Sequence, residues 1–235
     1  MKKVLIVTLI ALVLIVTGCY GGVVGSGRLT TRDLDLAGFT RIEASSAFEV
    51  EVIQGSEYAV SLTADDNIID NVDAAVIADT LRLGLKPSVG FRNLTLRAKI
   101  TMPNLRGIGV SGASRADVRG FQTEESLDLN LSGASSVTGD IRAGNTRVEA
   151  SGASRVELSG SGADLDVRGS GASNLVLADY TVRNVDAELS GASRATVNAS
   201  GTLDANLSGA SQLRYRGSPT LGRIETTGGS SLNQD

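Results

Sequence analysis

The sequence predicts an all-β protein: a right-handed parallel two-sheet β-helix, or solenoid, with Ser-Gly-Ala-Ser repeats of about 19 residues. Three observations predict it. Ser-Gly-Ala-Ser recurs from Ser111, Ser132, Ser151, Ser170, Ser190 and Ser208, and a degenerate copy follows as Thr227-Gly228-Gly229-Ser230. Successive copies start 21, 19, 19, 20, 18 and 19 residues apart, and self-similarity at a fixed short period is the mark of a stacked repeat. Both flanks of the motif alternate, as in Leu127, Leu129, Leu131 before it and Val156, Leu158 after it. A period of two is a strand with one buried face. Between copies lie turn residues such as Gly139-Asp140 and Gly217-Ser218-Pro219.

One rung is therefore strand, Ser-Gly-Ala-Ser corner, strand and loop. Neither strand can bury its apolar face alone. Stacking at about 4.8 Å pairs each rung with the next, so seven rungs make a rod about 34 Å long. Parallel crossovers of this kind are right-handed. The apolar positions before and after the motif share parity. On that parity the Gly and the second Ser point inward, where only small side chains fit. Ser114, Ser135, Ser154, Ser173, Ser193, Ser211 and Ser230 then form a buried column. Their hydroxyls need partners along the ladder or at corner carbonyls.

Residues 106–235 hold this array. Residues 28–105 are β-rich but irregular, and are expected to cap the solenoid or continue it. Phe48, Val50, Val52 and Tyr58, Val60, Leu62 alternate as strands. Residues 39–42, 76–85 and 94–100 are also read as strands, and 65–72 as a turn or one short helix. A cap is expected because an open solenoid end invites edge-to-edge association.

The first residues follow a different logic. Lys2 and Lys3 precede a stretch, 4–16, that is apolar except for Thr8. It is shorter than the roughly 20 residues that span a bilayer, and its length suits a secretory signal. It ends in Val16-Thr17-Gly18-Cys19, which resembles the lipobox of bacterial lipoproteins. The resemblance implies a signal peptide over 1–18 and acylation of Cys19, with the membrane as partner. Residues 19–27 are then the lipidated cysteine and a Gly-rich flexible tether. Tyr20, rather than Asp, follows the cysteine, which in Gram-negative lipoproteins favours the outer membrane. Cys19 is the only cysteine, so no internal disulfide forms.

Composition narrows the function. Removing Lys2 and Lys3 moves the formal net charge from −4 to −6, and no basic cluster exists to hold nucleic acid. Trp is absent and Phe and Tyr number four each, against a deep aromatic-lined sugar pocket. The chain has no His, which excludes Ser-His-Asp and Cys-His catalysis and the usual zinc sites. Lys86 and Lys99, the lysines beyond the leader, stand in no Ser-x-x-Lys context. No catalytic residue and no cofactor is expected. Gly107-Ile108-Gly109-Val110-Ser111-Gly112 matches the dinucleotide fingerprint, but a strand and another repeat follow instead of the required helix.

Outward positions also line up. Four residues before successive motifs stand Asp128, Arg147, Asp166, Asp186, Asp204 and Arg223; two before stand Asn130, Glu149, Arg168, Glu188, Asn206 and Glu225. Asp166, Asp186 and Asp204 on consecutive rungs are a candidate calcium column, since hard cations prefer carboxylate oxygens. The competing reading is a solvated face of mixed charge.

Gly38-Phe39-Thr40-Arg41-Ile42, then Phe48-Glu49-Val50-Glu51-Val52, then the repeat array together resemble the "putative auto-transporter adhesin, head GIN domain" family over nearly the whole mature chain. The resemblance implies a right-handed β-helix with tight Gly-containing turns, a role in adhesion, assembly as a homo-oligomer (a trimer), and no catalytic residues. The expectation is a lipid-anchored, non-enzymatic binding module of the cell envelope, with an envelope or extracellular partner. The alternatives are a periplasmic structural or stress-related scaffold and, third, a polysaccharide-active β-helix enzyme.

Overall fold

The structure, a computed structural model, describes residues 22–87 and 90–235. The strands before the corners, such as Leu127–Leu131, Thr146–Ala150 and Asp164–Gly169, stack in parallel in one sheet. Those after the corners, such as Ser136–Arg142, Arg155–Ser161 and Asn174–Val182, stack in parallel in a second. The sheets hold ten and eleven strands. Together they form a parallel β-solenoid whose thin core lies between them.

The alternation decides which face is inside. Leu129, Val148, Val167, Ala187 and Ala205 are buried on one sheet, opposite Val137, Val156, Leu175, Ala195 and Leu213 on the other. Each fully buried Leu or Val contributes about 1.5–3 kcal/mol relative to exposure. This burial is available only when rungs stack.

The corner corrects one expectation. The second Ser of each exact motif is buried, but the motif's Gly is exposed. The cause is a left-handed residue: the motif glycines have φ between 60° and 75°. That turn uses up one step of the alternation, so Gly and Ala face outward and the Ser resumes the inward parity. Stacking makes the glycine doubly necessary. A Cβ on Gly171 would lie 2.7 Å from the Gly152 carbonyl oxygen, inside any tolerable contact, and φ > 0 is costly for residues with a Cβ. From Gly133 onward the ladder passes through the corner, with Ala172 N–H donating to Gly152 O and Ala192 N–H to Gly171 O, both at 2.7 Å.

Parallel stacking begins earlier than residue 106. Arg41–Ala44 pairs with Gly107–Val110, and Glu49–Gln54 with Arg115–Gln122. The corner between them is Ser45-Ser46-Ala47-Phe48, with Ser46 and Ala47 left-handed. Phe48 takes the place of the inward Ser, and its N–H donates to Ser114 Oγ at 3.2 Å.

Residues 28–105 both continue and cap the array. In the first sheet, Thr80–Leu85 joins Arg41–Ala44 in parallel, and Val72–Ile77 then closes the edge antiparallel. The expected strand over 76–85 is thus a hairpin, reversed at Ala78, whose φ is 56°. In the second sheet, Leu96–Met102 extends the parallel run. Ala59–Asp65 and Leu29–Leu34 follow antiparallel, the latter at the edge. Reversing direction ends the parallel template, and Arg32 and Asp33 on the edge strand discourage addition of another strand. The expected turn or short helix is a 3-10 turn, Ile69–Asn71.

The tether expected over 19–27 is corrected for its described part. Gly22–Val24 pairs in parallel with Gly90–Arg92. Gly25 N–H donates to Arg92 O at 3.1 Å, Ser26 N–H to Asn67 Oδ1 at 3.0 Å, and Gly27 N–H to Asp65 Oδ1 at 2.7 Å. The signal peptide, 1–18, and Cys19 lie outside the described residues. Among the described residues no helix is long and apolar enough to cross a membrane.

Candidate binding surface

The outer face of the first sheet carries an open groove of about 900 Å³ beside the corners. Strand register sets Glu43, Gly109, Asn130, Glu149, Arg168, Glu188 and Asn206 in one row along it. The first Ser of each corner forms the neighbouring row, from Ser45 through Ser208. Ser151 Oγ donates to Leu131 O at 3.3 Å. The hydroxyls of Ser111, Ser132, Ser170, Ser190 and Ser208 have no partner among the described residues. Asp73, Arg82, Leu85 and Pro87 bound the groove at its capping end.

Charge in the groove is largely compensated. Arg168 reaches Glu149 and Glu188 at 3.8 Å each and Asp166 at 3.4 Å, while Arg82 meets Glu43 at 3.0 Å. Carboxylates outnumber arginines, which disfavours a polyanionic ligand. What the surface offers is hydrogen bonding at a fixed repeat: amides, hydroxyls and exchangeable ion pairs on a backbone that cannot slip register without exposing its core.

Asp166, Asp186 and Asp204 do stand on consecutive rungs. Two of them have partners. Asp166 lies 3.1 Å from Arg147 and 3.4 Å from Arg168, and Asp204 accepts from Arg223 N–H at 2.6 Å. Among the described residues no group of three or more His, Cys, Asp or Glu is placed to hold a metal ion.

The inward Ser column is structural. Ser135, Ser154 and Ser193 donate to the carbonyl of their own corner's first Ser at 2.7, 2.8 and 2.7 Å. Ser211 donates to Leu189 O at 3.2 Å, and Ser230 to Thr227 O at 2.8 Å. Ser173 is the exception: its hydroxyl is buried without a partner among the described residues. Gly169 explains it. The other Ser-Gly-Ala-Ser corners are entered through Val, Leu or Ala, and a Cβ at Gly169 would lie 3.1 Å from Ser173 Oγ and 2.8 Å from Leu189 Cδ2. The hydroxyl and the Leu189 methyl occupy the volume that the missing side chain leaves.

Three further arrangements have no repeat to announce them. Buried Asp65 accepts from Gly27 N–H and Thr95 N–H, both at 2.7 Å. Arg41 pairs with Asp128 at 2.9 Å. Tyr180, fully buried, shares a 2.8 Å hydrogen bond with Thr146 Oγ1, and burial pushes its phenol up from the usual range.

Residues 38–219 match the family described as "putative auto-transporter adhesin, head GIN domain". The chain belongs to this family. Solved structures agree with the head GIN domain assignment. A "putative adhesin" from Bacteroides fragilis is 25% identical over 91% of this chain and 100% of its own, with a TM-score of 0.81. A "putative lipid binding protein" from Parabacteroides distasonis is 17% identical over 92% of this chain and 100% of its own, at 0.75. A "putative adhesin" from Parabacteroides merdae is 17% identical over the same shares, at 0.72. The last two show the shared fold alone. No curated protein matches the chain.

Proposed function

We propose that this head GIN domain is a lipid-anchored, non-enzymatic binding module of the cell envelope, joined to the membrane through Cys19 and adhesion-related. The groove along the first sheet is its binding surface. One observation carries this reading: polar side chains from Glu43 to Asn206 lie in register along the groove, beside a row of solvent-facing serines most of whose hydroxyls bond to no other group among the described residues. Such a surface matches an extended, repeating partner that hydrogen-bonds and carries little negative charge. The lipobox supports the anchor, and Tyr20 after Cys19 supports the outer membrane.

The test is protease accessibility of the tagged lipoprotein in intact and lysed cells, alongside Cys19→Ala. Cleavage in intact cells, with release of the Cys19→Ala chain from membranes, supports a surface module. Protection until lysis replaces adhesion with a periplasmic structural role.

A further inference from the structure

The path of the chain next to Cys19 bears on how the solenoid meets its membrane. Gly22 is already the first residue of a strand held to Gly90–Arg92. Only three residue steps separate it from Cys19. Whatever their path, three residues reach at most about 11 Å. The segment after Gly22 cannot lengthen the leash without breaking the bonds of Gly25, Ser26 and Gly27. An acyl chain on Cys19 would therefore hold the capping end within about that distance of the lipid surface.

The cap is also where apolar side chains are left in water. Among the described residues the exposed large hydrophobic ones are Val24 (49%), Leu29 (48%), Ile77 (52%) and Leu221 (46%), and of these only Leu221 belongs to the far end. Val24 and Leu29 flank one turn: Asn67 Nδ2 donates to Val24 O at 2.9 Å, and Leu29 is registered with Asp65. Arg28 and Arg92 stand beside them. Arg28 pairs with Asp66 at 2.9 Å, and Arg92 is registered with Val24. Apolar tips with long cationic side chains suit the boundary between headgroups and acyl chains.

We propose that this patch, Val24, Leu29, Arg28 and Arg92, is a docking surface whose occupant is the bilayer that carries the anchor. The solenoid then leaves the membrane cap-first, and the groove runs outward from its capping end. The proposal rests on the lipidated reading of Cys19.

The chain has no Trp, so single tryptophans report position cleanly. The full chain, expressed with its own leader, is purified from membranes in detergent and reconstituted into phosphatidylcholine vesicles containing brominated lipid. Leu29→Trp is expected to be quenched several-fold more than Leu221→Trp, and adding Val24→Asp to Leu29→Trp is expected to reduce that quenching. Equal quenching at the two ends, with melting temperatures unchanged, overturns the proposal. Intact mass reports the acyl groups separately. Where it shows none, the anchor reading fails by itself. The free Cys19 thiol is then coupled to a maleimide headgroup lipid, and the same quenching comparison decides the docking surface.

Discussion

Arg41 and Asp128 hold each other at 2.9 Å across a rung to which neither belongs. The rung between them places Gly107 in their row, registered with Arg41 on one side and Asp128 on the other. A Cβ there would lie 2.8 Å from the guanidinium carbon. The absent side chain is the gap through which the pair closes. The Gly-rich stretch that imitates a dinucleotide fingerprint is thus an opening in an outward column.

Gly107→Ala is expected to be nearly neutral in the native chain. The strand gains about 0.5–1 kcal/mol from losing a glycine, and the half-exposed pair gives back about 0–1 kcal/mol on being displaced. In an Arg41→Ala background the gain should appear undiminished. Urea unfolding of the four chains measures the coupling, and no coupling would mean that the pair contributes nothing through this gap.

The inward serines should separate by position. Ser193→Ala removes a buried hydrogen bond to Ser190 O and is expected to cost about 0.5–1.5 kcal/mol. Ser173→Ala removes a buried hydroxyl that has no partner, so it should cost nothing or stabilise by up to about 1–3 kcal/mol. Chemical denaturation compares the two, and equal losses would contradict the arrangement.

Tyr180 predicts an alkaline limit. Burial raises its folded pKa above the ordinary value of 10.0. The stabilisation is fully present below that ordinary value and is lost as pH rises through the higher folded value. Melting temperature should fall above about pH 10. Tyr180→Phe should melt lower at neutral pH by the lost bond to Thr146, and should lose less as pH rises. Parallel curves for the two chains would reject this origin.

Asp65→Ala should leave Gly27 N–H and Thr95 N–H without their acceptor, costing about 1–3 kcal/mol for each that stays dry. The first effect is local. Hydrogen exchange over residues 22–28 should quicken well before the solenoid repeats lose protection, because the ladder beyond the cap does not depend on Asp65.

Calcium should have no specific effect. Arginines satisfy Asp166 and a backbone N–H satisfies Asp204, so calcium should shift the melting temperature no more than magnesium does at equal ionic strength. A calcium-specific rise would restore the Asp166, Asp186 and Asp204 column as a site.

The sequence by itself determined whatever repeats: the rung, the two sheets, the inward apolar face, and the burial of Ser135, Ser154 and Ser193. These are legible because each rung meets a near-copy of itself, so local period and tertiary environment carry the same information. The tertiary structure alone decided what has no copy. Phe48 sits at a corner whose residues match the motif only in part, and it is recognised by its pairing with the rung of Ser114. The 76–85 stretch reads as one strand until Ala78 reverses it against its own edge. The outward turn of the motif glycines depends on a positive φ that parity alone does not reveal. Asp65, Tyr180 and the Arg41–Asp128 pair join residues 30 to 87 positions apart. Such contacts exist only after stacking has set which side chains share a surface, and no local pattern in the chain encodes that.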